Sequence, residues 1–595
     1  MIPRLMVIHT HRRILLVTIA VAAVLTGLLA TSSASAAENA DFTGTWSLID
    51  HVVSGPQQGN DYPWQSTWTQ NGTQLTGTGG YSIVGSVSGS VATFTTASGG
   101  VYVATFRLTM SADGKRLTGT AEDNQGRKFT VTGSGNGTPP DPQRPDGMDW
   151  TVPDRLAAQV PKWGLDLGLP RVGSVYPDRW PATVFLTSRG QPFTCPAGRR
   201  YRWEIAAPGG ATILTRPKPG CRTRFVGSRL GRYRLTPIEQ KVTKGKWKDV
   251  KRLATRPVVL HDWLITAFGD SNGSGEGNGP FRFTRCNRSL TSYQYRTAME
   301  LEKRDQRTSV TLIWPSCSGA VIEHLDEISY SGINPGSTPL PPQIRQVAAL
   351  VTRASVARKG DPERKVDAAI VSIGVNNIAF GPTMGACVKF LPPSCESYWV
   401  RRTPATGPVV KGFIYSATPH SPAKPVRTWV DHLTRTLPDR YDGLARAFKR
   451  PLDVRSIGLG VKPGNVFITQ YPDFTNDDAG RTCVGGVGTG HWPESTWQFI
   501  SLAGQALNRQ VTAAGTRHGW TVVPVDQAAF GTHGYCASDS YFKGVFGTTI
   551  LGLNASGPFH PDSRGHGITA AATTSALCRR LYGNPDCSGK PPVLR

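Results

Sequence analysis

Residues 269–279, Gly-Asp-Ser-Asn-Gly-Ser-Gly-Glu-Gly-Asn-Gly, follow the apolar run Trp263 to Phe268 and set five glycines around Asp270 and Ser271. Two chemistries use such a loop. Glycine-freed backbone amides cradle a phosphate, or a strand-to-helix turn presents a hydroxyl for attack on an electrophilic carbon. The phosphate reading fails on the residues: the order G-x-G-x-x-G is not met, no G-K-[ST] closes the loop, and Asp270 and Glu276 would share the anion's place. A plain helix cap is the duller role for Ser271. As a nucleophile, Ser271 needs a base to take its proton and donors aimed at the oxyanion.

The turn must hang from a buried strand, and the sequence around it supplies a layered α/β frame. After Leu260, apolar runs at Trp263 to Phe268, Val310 to Trp314, Val366 to Ile373, Val466 to Gln470 and Thr521 to Val525 alternate with longer stretches. Those at Thr291 to Lys303, Pro342 to Ala357, Val426 to Lys449 and Glu494 to His518 read as mainly helical, and a last helix is expected after Asp562. Apolar runs without alternation are strands buried on both faces, and intervening helices favour parallel order. Residues 260–595 are thus expected to form an α/β doubly wound parallel sheet, with its site beyond the carboxyl ends of the strands, where Ser271 falls.

Upstream, residues 40–137 alternate as strands do and carry the turn pairs Asn71-Gly72 and Asp113-Gly114, which predicts an all-β domain, barrel or meander. Its Trp46, Trp64 and Trp68 suit either a core or a sugar-binding surface. Residues 138–179 read as a Pro-rich linker with one short helix. Residues 180–259 turn to strands again and resemble an immunoglobulin-like β-sandwich stapled by Cys195 and Cys221.

Four ordered blocks in the C-terminal half resemble the SGNH or GDSL-type esterases and lipases, in their secreted bacterial branch. They are Gly269-Asp-Ser271 with Ser274-Gly-Glu-Gly277 and Cys286-Asn-Arg-Ser289, then Ser316-Cys-Ser-Gly-Ala320, Ile373-Gly-Val-Asn-Asn-Ile378 and Phe559-His-Pro-Asp-Ser-Arg-Gly-His566. Gln470-Tyr-Pro-Asp473 and His533-Gly-Tyr-Cys536 are lesser matches. The resemblance implies a flavodoxin-like SGNH hydrolase fold and an esterase or lipase activity through an acyl-enzyme, without metal or cofactor. It implies Ser271 as nucleophile, His560 as base, and the amides of Ser271 and Gly319 with the Asn376 side chain as the oxyanion hole. His566, not directly before a proline, is expected to be structural. Three positions depart from the pattern: Val375 replaces a frequent glycine, Asn377 a frequent aspartate, and Gly557 the aspartate often found three residues before the histidine. A Ser-His dyad is therefore expected, with the Gly557 carbonyl orienting the imidazole. The expected substrate is a lipid or an acylated glycan; transfer of the acyl group to another acceptor would use the same residues.

At 595 residues the chain is multidomain, and its start carries Arg4, Arg12 and Arg13, an apolar run from Ile14 to Ala30 and Ala34-Ser-Ala36. That order reads as a signal peptide over residues 1–36, with export to the extracellular space and no transmembrane segment after cleavage. Ten cysteines agree with an oxidising compartment. Their local spacing suggests Cys195 with Cys221, Cys286 with Cys317, Cys387 with Cys395, Cys483 with Cys536 and Cys578 with Cys587, although spacing does not fix connectivity. The net charge of +25 favours an anionic surface or cell-wall polymer as partner, and a wall-binding role for the β modules is the alternative from another class. No recognition helix or zinc-finger spacing appears, so neither nucleic acid nor a metal is expected.

Overall fold

In the computed structural model, eight antiparallel strands close on themselves near the N-terminus. The structure describes residues 39–587 apart from 80, 99–101, 113, 136–144, 164–167, 189–190, 211, 215–217, 334–336, 358–363, 390–394, 398, 405–412, 417–423, 454, 456, 488–489 and 545–556. The signal-peptide expectation lies outside these residues.

The eight strands are β1 (Gly44–Ser54), β2 (Asp61–Asn71), β3 (Gln74–Thr78), β4 (Ser82–Ser88), β5 (Val91–Ser98), β6 (Tyr102–Met110), β7 (Arg116–Asp123) and β8 (Lys128–Gly135). Each pairs with the next and β8 returns to β1, so of the two expected forms the barrel is the one present. Inward residues fill it: Trp46, Trp68, Phe94 and Phe106 are buried, and the last two stack with centroids 5.0 Å apart. Trp46 and Trp68 are therefore core, not a sugar-binding surface, while Trp64 is partly buried against Tyr81 and Phe106.

Within the stretch read as a linker, β9 (Gly147–Thr151) pairs with β10 (Trp180–Ser188), and the short helix α1 (Leu156–Gln159) sits between them in sequence. The strands β11 (Arg199–Ala206), β12 (Arg222–Gly227), β13 (Gly231–Thr243) and β14 (Lys246–Arg252) complete two small sheets. These share one core through Trp180, Val184, Tyr201, Trp203, Phe225 and Leu235, with Cys195 bonded to Cys221.

The second of these sheets does not end there. Strand β15 (Arg256–Gly269) pairs antiparallel with β13 over Arg256 to Leu260, then parallel with two further strands from His261 onward. Those are β16 (Thr308–Ile313) and β17 (Ala368–Ser372), followed outward by β18 (Val466–Thr469) and β19 (Thr521–Val523). The parallel order is β16-β15-β17-β18-β19, a doubly wound arrangement whose strand order matches the flavodoxin-like expectation. All five expected strands are present, and the division expected at residues 259 and 260 falls inside β15.

Helices cover both faces. They are α2 (Ser271–Ser274), α3 (Tyr293–Arg304), α4 (Gln343–Ala357), α5 (Phe380–Lys389), α6 (Val426–Arg435), α7 (Leu437–Lys449), α8 (Glu494–His518) and α9 (Ser563–Tyr582). The helix expected over 426–449 divides at Thr436, because Pro438 in the first turn of α7 cannot donate back across the break. Leu156, Val160 and Trp163 join the core formed by Trp263, Leu301, Val310 and Leu312. Arg155 donates to the buried Asp262 at 2.7 Å, and Arg364 meets the same carboxylate at 2.7 Å. All five expected disulfides are present. No helix among the described residues is long and apolar enough to cross a membrane.

Candidate active site

The carboxyl end of β15 has to bend within one residue, and Gly269 permits it. Its φ is +149°, and a methyl group there would lie 2.2 Å from the Ser372 carbonyl oxygen of β17. Gln343 clamps the residue, accepting from the Gly269 amide and donating to its carbonyl, both at 2.9 Å. The Asp270 amide then donates to Ser372 at 3.0 Å, and the Asp270 carboxylate caps α2 by accepting from the Asn272 amide at 3.0 Å. Ser271 opens that helix, 7 % exposed.

Asp270 is wholly buried, and burial pushes its carboxyl up to about 7 against the hydrogen bonds that favour its charge. The shortest of these comes from the Tyr471 hydroxyl, 2.6 Å away. Tyr471 belongs to one of the lesser sequence matches, Gln470-Tyr-Pro-Asp473, and its place after β18 brings its hydroxyl to the Asp270 carboxylate.

The oxyanion-hole candidates converge from three strand ends. The Cys286–Cys317 bridge and a Cys317 amide bond to the Gly269 carbonyl at 2.9 Å hold the loop after β16 against the Ser271 turn. Gly319 in that loop has φ +80°, and a methyl group there would meet the Tyr330 hydroxyl at 2.4 Å, so only glycine fits. The Asn376 side chain, from the loop after β17, donates to the Ala320 carbonyl at 3.0 Å and so stands beside the Gly319 loop. Among the described residues, neither the Ser271 nor the Gly319 amide has an acceptor.

The two departures in the third block have physical reasons. Asn377 accepts from the Ile322 amide at 3.0 Å and donates to Glu323 at 3.0 Å. An aspartate would set two carboxylates against each other there. Val375 is packed against the core and lines the cavity next to Ser271. Behind the site, Glu276 is wholly buried and accepts from Asn287 at 3.0 and 3.1 Å; burial raises its carboxyl to about 7.

His560 reaches the site from the segment before α9. Phe559, with φ 67° and packed among Phe474, Trp492 and Tyr535, anchors that segment. Reciprocal bonds with Lys543, each 2.9 Å, and the Asn278 side chain on the Pro561 carbonyl at 2.7 Å complete the hold. A methyl group on Gly277 would lie 3.2 Å from the His560 Cβ, so the Ser271 loop and the His560 loop touch, and both residues line one cavity.

The His560 Nδ1 faces the Pro558 carbonyl at 3.1 Å and the Gly557 carbonyl at 3.3 Å. Both are acceptors only, so Nδ1 carries the proton and Nε2 keeps its lone pair. No described carboxylate bonds to the ring. The Pro558 carbonyl, the nearer of the two, was not anticipated, since a backbone group leaves no mark in a residue pattern. Part of the His560 side chain is accessible, but packing around the ring lowers its pKa to about 4 despite the two carbonyls. His566 is buried on α9, where its Nδ1 accepts from the Tyr293 amide at 3.4 Å and its ring stacks on Tyr293, in keeping with a structural place. Among the described residues no group of three or more His, Cys, Asp or Glu is gathered as a metal ion would need.

No family model matches the chain, and no curated protein does. Among solved structures it is similar to an extracellular lipase from Streptomyces rimosus, with 18 % identity and a TM-score of 0.33 over 53 % of this chain and 99 % of that one. A phospholipase A1 from Streptomyces albidoflavus NA297 has 18 % identity and a TM-score of 0.31, over 52 % of this chain and 97 % of that one. An acetylxylan esterase from Geobacillus stearothermophilus has 14 % identity and a TM-score of 0.23, over 54 % of this chain and 96 % of that one.

Proposed function

We propose that the chain is an exported carboxylic ester hydrolase in which Ser271 attacks the ester carbonyl and His560 is its general base. The observation that carries this reading is the fixed tautomer of His560, whose Nδ1 is occupied by the Pro558 and Gly557 carbonyls in a wall shared with Ser271. Nε2 takes the Ser271 hydroxyl proton as the Oγ–carbonyl bond forms. The negative charge on the former carbonyl oxygen falls to the Ser271 and Gly319 amides and the Asn376 side chain. Collapse of the tetrahedral intermediate returns the proton from His560 to the leaving alcohol. Water then repeats the cycle on the acyl-enzyme, and no step calls for a metal or an organic cofactor. Two carbonyls orient the imidazolium but stabilise it less than a carboxylate would. Export agrees with the five disulfides, which persist in oxidising compartments.

The test is hydrolysis of p-nitrophenyl butyrate by the wild-type chain and by Ser271→Ala and His560→Ala. Loss of turnover in both, with folding unchanged, supports the assignment; wild-type turnover in either removes it. Product analysis with a competing alcohol distinguishes hydrolysis from transfer.

One observation favours a binding role beside catalysis. In the hairpin β13–β14, Lys241 lies directly opposite Lys248; Glu239, 3.8 Å from the Lys241 ammonium, offsets part of this like-charge pairing, and positive charge remains on the exposed strand. Strand β14 is exposed throughout, and Trp247 and Val242 on the hairpin are 37 % and 49 % exposed. This suits an anionic surface or wall polymer. Retention of the Ser271→Ala chain on an anionic wall polymer, lost when Lys241 and Lys248 become Gln, is expected; equal retention of both would remove this role.

A further inference from the structure

Glu276 is a buried carboxyl that takes no part in the chemistry assigned to Ser271 and His560. Its amide donates to the Ser271 carbonyl at 3.0 Å, so it belongs to the nucleophile's own turn. Its side chain is wholly buried, a placement that a carboxylate tolerates only when donors surround it. Three donors do. Asn287, held with φ 47° behind the turn Thr284–Cys286, gives its side-chain amide to both oxygens at 3.0 and 3.1 Å. The Ser318 hydroxyl and the Gly277 amide are the other two.

Through Ser318 the carboxyl reaches the oxyanion hole. Ser318 is gripped at each of its polar groups: its amide donates to the Cys286 carbonyl at 3.2 Å, its carbonyl accepts from the Tyr330 hydroxyl at 2.8 Å, and its hydroxyl meets Glu276. The Ser318 carbonyl and the Gly319 N–H share one planar trans peptide, and in such a unit the two point in opposite directions. Fixing Ser318 therefore fixes the direction of the Gly319 amide, which has no acceptor among the described residues. One side chain thus runs from the backbone of the Ser271 turn to the peptide that presents the Gly319 donor.

We propose that Glu276 is a positioning residue: it acts through Ser318 to hold the Gly319 amide in register with Ser271, so that nucleophile and oxyanion hole form one unit. This rests on the reading of Ser271 as nucleophile and of Gly319 as an oxyanion donor. A donor is effective about 2.7–3.1 Å from the developing oxyanion, and a misplacement of about 1 Å costs on the order of 10² in rate. The ground-state ester makes no such demand, so the effect falls on kcat and not on KM.

The experiment compares the full wild-type chain with Glu276→Gln, Ser318→Ala and the double variant on p-nitrophenyl butyrate, with inhibition by n-butylboronic acid alongside. Glu276→Gln keeps the length of the side chain but turns an NH₂ group toward donors where an oxygen accepted. With the boronic acid, the Ser271 oxygen bonds to boron as its proton passes to His560, and the tetrahedral adduct sets an anionic oxygen in the hole. Glu276→Gln is expected to lower kcat about 10- to 100-fold with KM within about threefold, and to raise the boronic acid inhibition constant by a similar factor. Ser318→Ala lowers kcat about tenfold, and the double variant stays within about twofold of Glu276→Gln, because both changes break one link.

A raised KM with unchanged kcat, an unaltered inhibition constant, or losses that multiply in the double variant overturn the proposal. So does wild-type kcat in a Glu276→Gln chain that has only lost melting temperature, the mark of a carboxyl that serves the fold alone. Should Glu276→Gln not fold, Ser318→Ala decides by the same split: lowered kcat at constant KM supports the link, and wild-type kcat removes it. Failure of the Ser271 reading looks different: ester cleavage is absent from the wild-type chain or survives in Ser271→Ala.

Discussion

Removing everything before residue 260 should unfold the α/β part, although every residue assigned to catalysis lies after that point. The truncation deletes Leu156, Val160 and Trp163, which are 0 %, 4 % and 3 % exposed and sit in the core beside Trp263, Leu301, Val310 and Leu312. At about 1.5–3 kcal/mol each for burial, their loss costs roughly 5–9 kcal/mol. It also deletes Arg155, one of two cations on the buried Asp262, and breaking such a buried pair costs about 3–5 kcal/mol. Glu302 loses the Arg155 and Leu156 amides, both within 3.2 Å of its carboxylate. The sum matches or exceeds the roughly 5–15 kcal/mol by which a domain is stable. A chain of residues 145–595 keeps all these contacts. Thermal unfolding by far-UV circular dichroism, with hydrolysis of a soluble short ester alongside, compares the two fragments with residues 39–595. The longer fragment should melt cooperatively within about 5 °C of the reference and remain active, whereas 260–595 shows no cooperative transition. An active 260–595 fragment with the same melting temperature would refute the reasoning.

Asp539→Asn and Asp562→Asn should each lower kcat less than tenfold, far from the roughly 10⁴ lost when a triad carboxylate is removed. Asp539 pairs with Arg564 at the surface and Asp562 caps α9, a task that asparagine also performs; a loss of triad size in either would place a carboxylate at His560. The base must be neutral to act, and packing lowers its pKa from 6.5 to about 4. The acid limb of kcat/KM should therefore stay level from pH 7 to about 5 and fall with a midpoint near pH 4, while a midpoint at or above 6.5 contradicts this. Gly319→Ala should reduce kcat by about 10²-fold and cost about 1–2 kcal/mol of stability, because φ +80° disfavours a side chain and the methyl group displaces the Tyr330 hydroxyl and the amide beside it. An unchanged kcat removes Gly319 from the oxyanion hole.

The parallel strands and most helices were legible because their patterns are local: buried runs of four to six residues, amphipathic stretches, and a glycine-rich turn where one strand ends. What escaped the sequence depends on partners far along the chain. Closure of the barrel is a pairing of β1 with β8, some 80 residues apart, which no local pattern announces. The double use of β15 was hidden because an antiparallel partner at one end and parallel partners at the other draw on one largely apolar stretch, Val258 to Phe268, interrupted at His261 and Asp262. That interruption was the available signal: Asp262 within a buried strand demanded cations, and Arg155 and Arg364 supply them. At the site, the residues of the four blocks were readable and their supports were not. Gln343 on Gly269, Tyr471 on Asp270 and the Pro558 carbonyl on His560 act through single hydrogen bonds or pairs of them, set by tertiary packing.

The central claim is that one serine in this chain is activated by His560, and covalent labelling reads it directly. The full chain is treated with an n-octyl fluorophosphonate, which forms a Ser Oγ–phosphorus bond with loss of fluoride, and is then weighed intact and mapped by peptide mass spectrometry. One adduct per chain, on the peptide containing Ser271, absent in Ser271→Ala and formed at least 10³-fold more slowly in His560→Ala, is the result predicted. No adduct, an adduct on another residue, or labelling of Ser271 at the same rate without His560 would contradict the account.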